Sequence, residues 1–166
     1  MIDDPISQFM NRDVLSGPAE MPLREIFALM DSKVQSCFIV CDDDSPVGVI
    51  SERDGIPLLH QALAGKTFDD VVASDIMTTP VRTLPETATM GEVVQIMNEF
   101  RFRRVPIVDD KGQLSGIVNL SDLQTATNSA LERRGRDLEV AVMARTAELQ
   151  AANKQLEKLS IRDGSP

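Results

Sequence analysis

The chain contains one pattern written twice, and this repeat limits its architecture more than any other feature. Residues 9–30 align without a gap to residues 76–97 at an offset of 67, with identities at Met10/Met77, Val14/Val81, Pro18/Pro85, Glu25/Glu92 and Met30/Met97. After one inserted residue the offset becomes 68. Residues 36–54 then align to 104–122, with identities at Ile39/Ile107, Val40/Val108, Asp42/Asp110, Gly48/Gly116 and Asp54/Asp122. Elsewhere apolar side chains exchange for apolar ones, as in Ile26/Val93 and Leu29/Ile96. A unit of ~60 residues buries little core alone. Two such units packed by their sheet faces make one compact pseudo-two-fold body, expected over residues 5–128.

Each repeat reads as strand, helix, strand, strand, helix. In the second, Val81-Arg82-Thr83-Leu84 reads as a short strand and Pro85-Glu86-Thr87 as a helix start. Met90, Val93, Val94, Ile96 and Met97 then form an apolar stripe at helical spacing. Val105-Pro106-Ile107-Val108 reads as a buried strand with its proline near the start, where a missing N–H is tolerated. Asp109-Asp110-Lys111-Gly112 is hairpin-turn chemistry, the strand returns over Leu114–Val118, and a helix begins near Asn119. The first repeat reads likewise, with its turn at Asp42-Asp43-Asp44-Ser45. That acidic run is expected to be a solvated turn rather than a cation site, since calcium needs a longer oxygen-rich loop.

Composition narrows the function. The chain has 166 residues and a formal net charge of -9. No apolar run approaches the ~18 residues that span a bilayer. The N-terminus, Met1-Ile2-Asp3-Asp4-Pro5, has neither the basic start nor the apolar stretch of a signal peptide, so a cytoplasmic protein without membrane partners is expected. Residues 1–130 carry 20 acids and 10 bases, which disfavours general nucleic-acid binding. Trp and Tyr are absent and only six Phe supply aromatic surface, so the core is expected to be built from Val, Ile, Leu, Met and Ala. Cys37 and Cys41 fall on one face of a strand and read as small buried thiols rather than a disulfide or metal ligands. With His60 the only histidine, no metal site and no required cofactor are expected. No nucleophile–base pair and no phosphate loop appears, so the chain is not expected to be an enzyme.

The tail differs in kind. From Leu131 to Leu159 a heptad seam runs through d positions Leu131, Leu138, Arg145, Ala152 and Leu159 and a positions Gly135, Val142, Leu149 and Leu156. Seven of these nine are apolar, with Gly135 and Arg145 the weak points. The pattern predicts a long helix that pairs with a second copy as a parallel coiled coil. The alternative is a single helix folded back on the body.

The doubled segment resembles a known family. Asp75-Ile76-Met77-Thr78, Val81, Pro85, Glu92, Ile96-Met97, Val105-Pro106-Ile107-Val108 and Gly116-Ile117-Val118 are similar to a cystathionine-β-synthase-type (CBS) domain. The first repeat looks like a second copy, ending in Gly48-Val49-Ile50-Ser51-Glu52-Arg53-Asp54. Together they resemble a tandem CBS pair, or Bateman module, over about 125 of the 166 residues. The resemblance implies an α/β fold of two β-α-β-β-α repeats with pseudo-two-fold symmetry, 5–70 and 71–128, followed by a signalling helix over 129–162. The tail, from Arg145-Thr146-Ala147-Glu148-Leu149 to Leu159-Ser160-Ile161-Arg162-Asp163-Gly164, is similar to linkers that open a GGDEF-type diguanylate cyclase domain. It implies a homodimer with an output domain attached downstream.

The resemblance also implies a ligand: AMP, ADP or ATP, with S-adenosylmethionine and cyclic dinucleotides as related candidates. The first repeat matches the family's ligand motif with Gly48, Ser51 and Asp54; the second keeps Gly116 and Asp122 but has Asn119 in place of the usual hydroxyl. Ser51 at a helix N-terminus suits a phosphate, and Asp54 and Asp122 would accept the ribose hydroxyls. Arg103 and Arg104 match positions that reach phosphates, Thr78 and Val81 the loop against the base or sugar, and Pro106 the strand that follows. The site expected to be the competent one combines Asp122 with Arg103 and Arg104, because Gly55 and Pro57 disturb the first helix start and Ser36 and Phe38 replace Arg104 and Pro106 there. Apolar surface rather than aromatic stacking is expected to hold the adenine. Two plainer readings stand beside these. Ser51…Asp54 and Asn119…Asp122 also fit helix caps that need no ligand, and the arginines fit a solvated face. A ligand-free structural dimerisation module is therefore the alternative function.

Overall fold

The computed structural model describes residues 3–162, and the side-chain surroundings of all of these except 126, 130 and 157–162. It is a mixed α/β structure. The first repeat runs β1 (Ser16–Gly17), α1 (Leu23–Lys33), β2 (Cys37–Asp42), β3 (Ser45–Ser51) and α2 (Gly55–Leu63). A short helix α3 (Ala73–Ile76) opens the second, which continues β4 (Leu84–Pro85), α4 (Met90–Phe100), β5 (Arg104–Val108), β6 (Leu114–Asn119) and α5 (Leu120–Arg162). Each repeat forms a three-stranded sheet, β1-β2-β3 and β4-β5-β6, with a parallel outer pair and an antiparallel hairpin.

The middle of each central strand, Cys37–Val40 in β2 and Val105–Ile107 in β5, is apolar and buried because both of its faces are covered. In β2, Phe38 and Val40 pack on Ile26 and Met30 of α1. Cys37 and Ile39, on the opposite face, pack on Ile117 of the other repeat. Cys41 joins the second group, so both thiols lie on one face of β2 as the spacing requires. The two-residue turn of the first hairpin holds Asp43 at φ 44° and Asp44 at φ 65°. This is the pair of positive φ values that matches strand twist in a tight hairpin. In the second hairpin Asp109 Oδ1 accepts the N–H groups of Lys111 and Gln113, both at 2.9 Å.

The repeats interlock by exchange. The segment before β1 joins the far sheet through Asn11↔Ile117, and the segment before β4 returns the contact through Thr78↔Val49. Pro5↔Thr89 and Pro22↔Val72 are related in the same way. Under the 67–68 offset each bridge maps onto its mate, which is pseudo-two-fold symmetry at backbone level. Two glycines allow the approach. A Cβ on Gly48 would lie 2.5 Å from Met77 Sδ, and one on Gly116 would lie 2.7 Å from Met10 Sδ.

Two local expectations need correction. Of the strand expected over Val81–Leu84 only Leu84 is laddered: the paired segment is Leu84–Pro85, parallel to Ile107 and Val108 of β5. The helix expected from Pro85 begins at Met90, where Thr89 caps it: Thr89 Oγ1 accepts Glu92 N–H at 3.3 Å while Glu92 Oε2 accepts Thr89 N–H at 2.7 Å. These bonds to Thr89 hold the Glu92 carboxyl below its ordinary pKa. The start of the first helix is displaced to Gly55, as Gly55 and Pro57 led one to expect. A 3-10 turn, Glu52–Asp54, precedes α2, so Pro57 falls in the first turn, where no intrahelical N–H bond is required.

The chain divides into two compact units, Met1–Leu123 and Gln124–Pro166. In the second, residues 131–156 are exposed throughout, and Leu131, Leu138, Val142, Leu149 and Leu156 form an exposed stripe. Arg145 Nη1 donates to Glu148 Oε2 at 2.9 Å. The side chain of Leu159 and residues 163–166 lie outside the described residues.

Candidate functional site

A cleft of about 220 Å³ opens in the first unit where the two repeats meet. The end of β3 and the turn after it supply Val49, Ser51, Arg53 and Asp54. The segment before β4 supplies Thr78, Pro80, Val81 and Arg82, and the entrance to β5 supplies Phe102, Arg103 and Arg104. Each group is placed by a feature already described. The Thr78↔Val49 bridge lays the 78–82 segment along β3, and Thr79 Oγ1 donates to Val47 O at 3.0 Å. Arg101 closes α4 in the left-handed conformation at φ 56°, turning the chain so that residues 102–104 face the cleft.

Of the expected residues, the fold brings together Ser51, Asp54, Thr78, Val81, Arg103 and Arg104. The expected grouping of the arginines with Asp122 is wrong. Repeat exchange places Arg103 and Arg104 against the first repeat's motif, and neither Asn119 nor Asp122 lines the cleft. Those two meet each other instead, Asn119 Nδ2 donating to Asp122 Oδ2 at 3.1 Å. Pro106 is a core residue: it is fully buried in β5 opposite Ile117 and does not touch the cleft. Sequence reasoning missed Val49, Arg53, Pro80, Arg82 and Phe102. Phe102 adds an aromatic ring to the cleft lining. Its ring stacks on Phe100 at 5.7 Å, and the Arg82 guanidinium lies 4.6 Å from the Phe100 centroid.

The carboxylate of Asp54 is turned towards its own helix start. Its Oδ2 accepts the Ser51 N–H at 2.6 Å and the Ser51 Oγ–H at 2.8 Å. The capping role is therefore present at the first motif, whereas at the second the described bond joins the two side chains only. Arg104 crosses between repeats, with Nη2 donating to Ser36 Oγ, while its Nε is buried without a hydrogen-bond partner among the described residues. Leu120 N–H, the first of α5, donates to Arg103 O at 2.9 Å, so a residue of the cleft is bonded directly to the base of the long helix. Burial pushes the neighbouring Cys37 thiol above its ordinary pKa; Arg104 acts against that shift and Glu52 adds to it. Four arginines and one aspartate line the cleft, on a chain of net charge -9. Such a site favours an anion.

Comparison with known proteins gives a consistent result. The family model described as CBS domain matches twice, over residues 6–59 and 72–128. An uncharacterized protein of Methanopyrus kandleri is 37% identical over 119 residues, which cover 71% of this chain and 60% of that protein. The inosine-5'-monophosphate dehydrogenase of Thermoplasma acidophilum is 29% identical over 114 residues, covering 69% of this chain and 22% of the enzyme. The chain thus spans about three fifths of the first and about a fifth of the second. Among solved structures, a CBS domain protein from Pyrobaculum aerophilum complexed with AMP matches with TM-score 0.61 at 24% identity, covering 72% of this chain and 89% of that one. A CBS domain pair in complex with 5-methylthioadenosine and S-adenosyl-L-methionine matches with TM-score 0.64 at 20% identity, covering 76% and 98%.

Proposed function

The chain belongs to the CBS domain family, as a tandem pair, and on that premise we propose that it is a regulatory module that binds an adenine nucleotide in the cleft between its repeats. The observation that carries this reading is the meeting of Ser51 and Asp54 with Arg53, Arg82, Arg103 and Arg104 in one opening. The arginines take the phosphates. Thr78, Val81 and Phe102 line the wall available to sugar and base. Asp54 takes the ribose hydroxyls with the carboxylate oxygen its cap leaves available. Structural relatives solved with AMP and with S-adenosyl-L-methionine support an adenosyl ligand. The arginine content favours AMP, ADP or ATP, since S-adenosyl-L-methionine brings no phosphate. The module needs no cofactor and performs no reaction of its own.

Binding shifts an equilibrium only if the ligand prefers one arrangement of the repeats. The bond from Leu120 to Arg103 gives that preference a route to α5. In this reading residues 5–70 and 71–128 are the sensing repeats and 129–162 a signalling helix. The helix pairs with that of a second copy and drives a downstream output domain, a diguanylate cyclase. The apolar face of α2, with Ile56, Leu59 and Leu63 exposed, supports a further dimer contact. The setting is cytoplasmic, with neither nucleic acid nor membrane as partner. No helix among the described residues is long and apolar enough to cross a membrane.

A ligand-free dimerisation module is favoured by one observation, the helix cap at Ser51–Asp54. The Asp54→Ala variant separates the readings. Loss of ADP binding with the dimer retained in sedimentation is expected for a sensor. A wild type that binds none of the nucleotides as a folded dimer leaves only the structural role.

A further inference from the structure

The pseudo-two-fold relation lets the chain serve as its own control, because every residue of the cleft has a counterpart. Across the 68 offset, Ser51, Arg53 and Asp54 correspond to Asn119, Ser121 and Asp122, and Arg103 and Arg104 to Gln35 and Ser36. Across the 67 offset, Pro80, Val81 and Arg82 correspond to Asp13, Val14 and Leu15. The cleft gathers four arginines against one carboxylate. The counterpart positions carry two carboxylates, Asp13 and Asp122, and no base. An anion held firmly at the first site would be repelled at the second.

The counterpart is also closed from within. Gln35 Oε1 accepts the Leu15 N–H at 3.3 Å, and Gln35 Nε2 donates to Asp13 O at 2.9 Å. Asn11 Oδ1 accepts the Asp13 N–H at 2.9 Å. The 11–15 segment, counterpart of the cleft wall 78–82, is thereby pinned to the entrance of β2 by the residue that stands where Arg103 stands in the cleft. Ser36, at the position of Arg104, is itself taken by Arg104 Nη2. Among the described residues two buried side-chain atoms lack a partner: Nε of Arg104, a cationic donor that lines the cleft, and Oδ1 of Asn119, an acceptor at the counterpart site that offers an anion nothing.

We infer that the chain binds one phosphate-bearing ligand per molecule, in the Ser51 cleft, and that Gln35 and Asp13 close the pseudo-equivalent site against a second. The inference rests on the reading of the cleft as an anion site, and the identity of the nucleotide does not enter it. Titration calorimetry of the full chain with ADP, and separately with inorganic pyrophosphate, tests it. One equivalent of each per chain is expected, with Arg103→Ala weakening both by roughly tenfold through loss of a charge-assisted contact. Amide signals should shift at 51–54 and 78–82 and stay in place at 11–15. Two equivalents, shifts at 11–15, or an Arg103→Ala variant of unchanged affinity overturn the inference and leave nucleotide sensing intact. One equivalent of pyrophosphate without ADP binding overturns the nucleotide reading and supports the single anion site. Binding of neither overturns both. In the Gln35→Arg/Asp13→Asn double variant, two equivalents of pyrophosphate are expected. One equivalent in a folded variant contradicts the closing role.

Discussion

Two glycines set how closely the repeats approach. Gly48 leaves room for the whole base of the Met77 side chain, with Cγ and Cβ of that residue at 2.9 and 3.0 Å from where a Cβ would stand. The methionine cannot swing its tip aside to make space, so Gly48→Ala must shift backbone. It should cost about 1–3 kcal/mol and lower the unfolding temperature by several degrees, read by circular dichroism. The thiols make a second test. Burial, assisted by Asp44, pushes Cys41 up to about 11, against 9.0 for the free group. A shift of two units leaves about a hundredfold less thiolate near pH 8, so alkylation of Cys41 in the folded chain should be slow by that factor. The linkage follows the same sign. A folded pKa above the unfolded one contributes stability that is complete below pH 9 and lost as pH rises towards 11. An unfolding temperature that stays level across that window would contradict burial of this thiol. At this scale the sequence was a partial guide. Gly48, Ser51 and Asp54 announced themselves by spacing, but Pro106 reads the same whether its ring faces a ligand or, as found, the core.

Elements were more legible than the contacts between them. The helix of the second repeat was visible as a stripe of Met90, Val93 and Met97, all now buried. Its start was misplaced because Pro85 is a loud signal, whereas the Thr89-x-x-Glu92 cap is a quiet one that only a search for the capping box finds. Both hairpins were legible from turn chemistry. The arginine assignment was not, because which repeat's motif meets Arg103 and Arg104 depends on strand exchange across 50 or so residues, a distance over which local patterns carry no information. The long helix α5 presents Leu138 at 63% and Val142 at 62% exposure, a loss of apolar burial that pairing would recover. In the proposed parallel coil these residues are neighbouring d and a positions. Leu138→Lys combined with Val142→Lys should therefore abolish self-association through this helix, measured by sedimentation equilibrium at micromolar concentration. A chain that is monomeric before substitution would dispose of the coil.

The first unit is two similar halves made unlike at one place. Backbone exchange, glycine contacts and sheet order all obey the pseudo-two-fold relation, while charge does not. Four arginines stand at one cleft and two carboxylates at its counterpart. A symmetric scaffold with asymmetric chemistry suits a single signal entering one side and leaving through the one helix that has no counterpart of its length. A parallel coil requires the exit helices of both copies to leave on the same side, so the dimer should be head-to-head in solution scattering. The most direct measurement is thermal unfolding, followed by circular dichroism, of nucleotide-free protein with AMP, ADP, ATP, S-adenosylmethionine or a cyclic dinucleotide at about 100 times the dissociation constant. Occupancy of the folded state at that level stabilises by about 2.7 kcal/mol, a shift of several degrees for a body of this size. A shift with a phosphate-bearing adenine nucleotide, lost in Asp54→Ala and reduced in Arg103→Ala, is the expected result. Unfolding temperatures unchanged by every compound would contradict nucleotide sensing and reduce Ser51 and Asp54 to a helix cap.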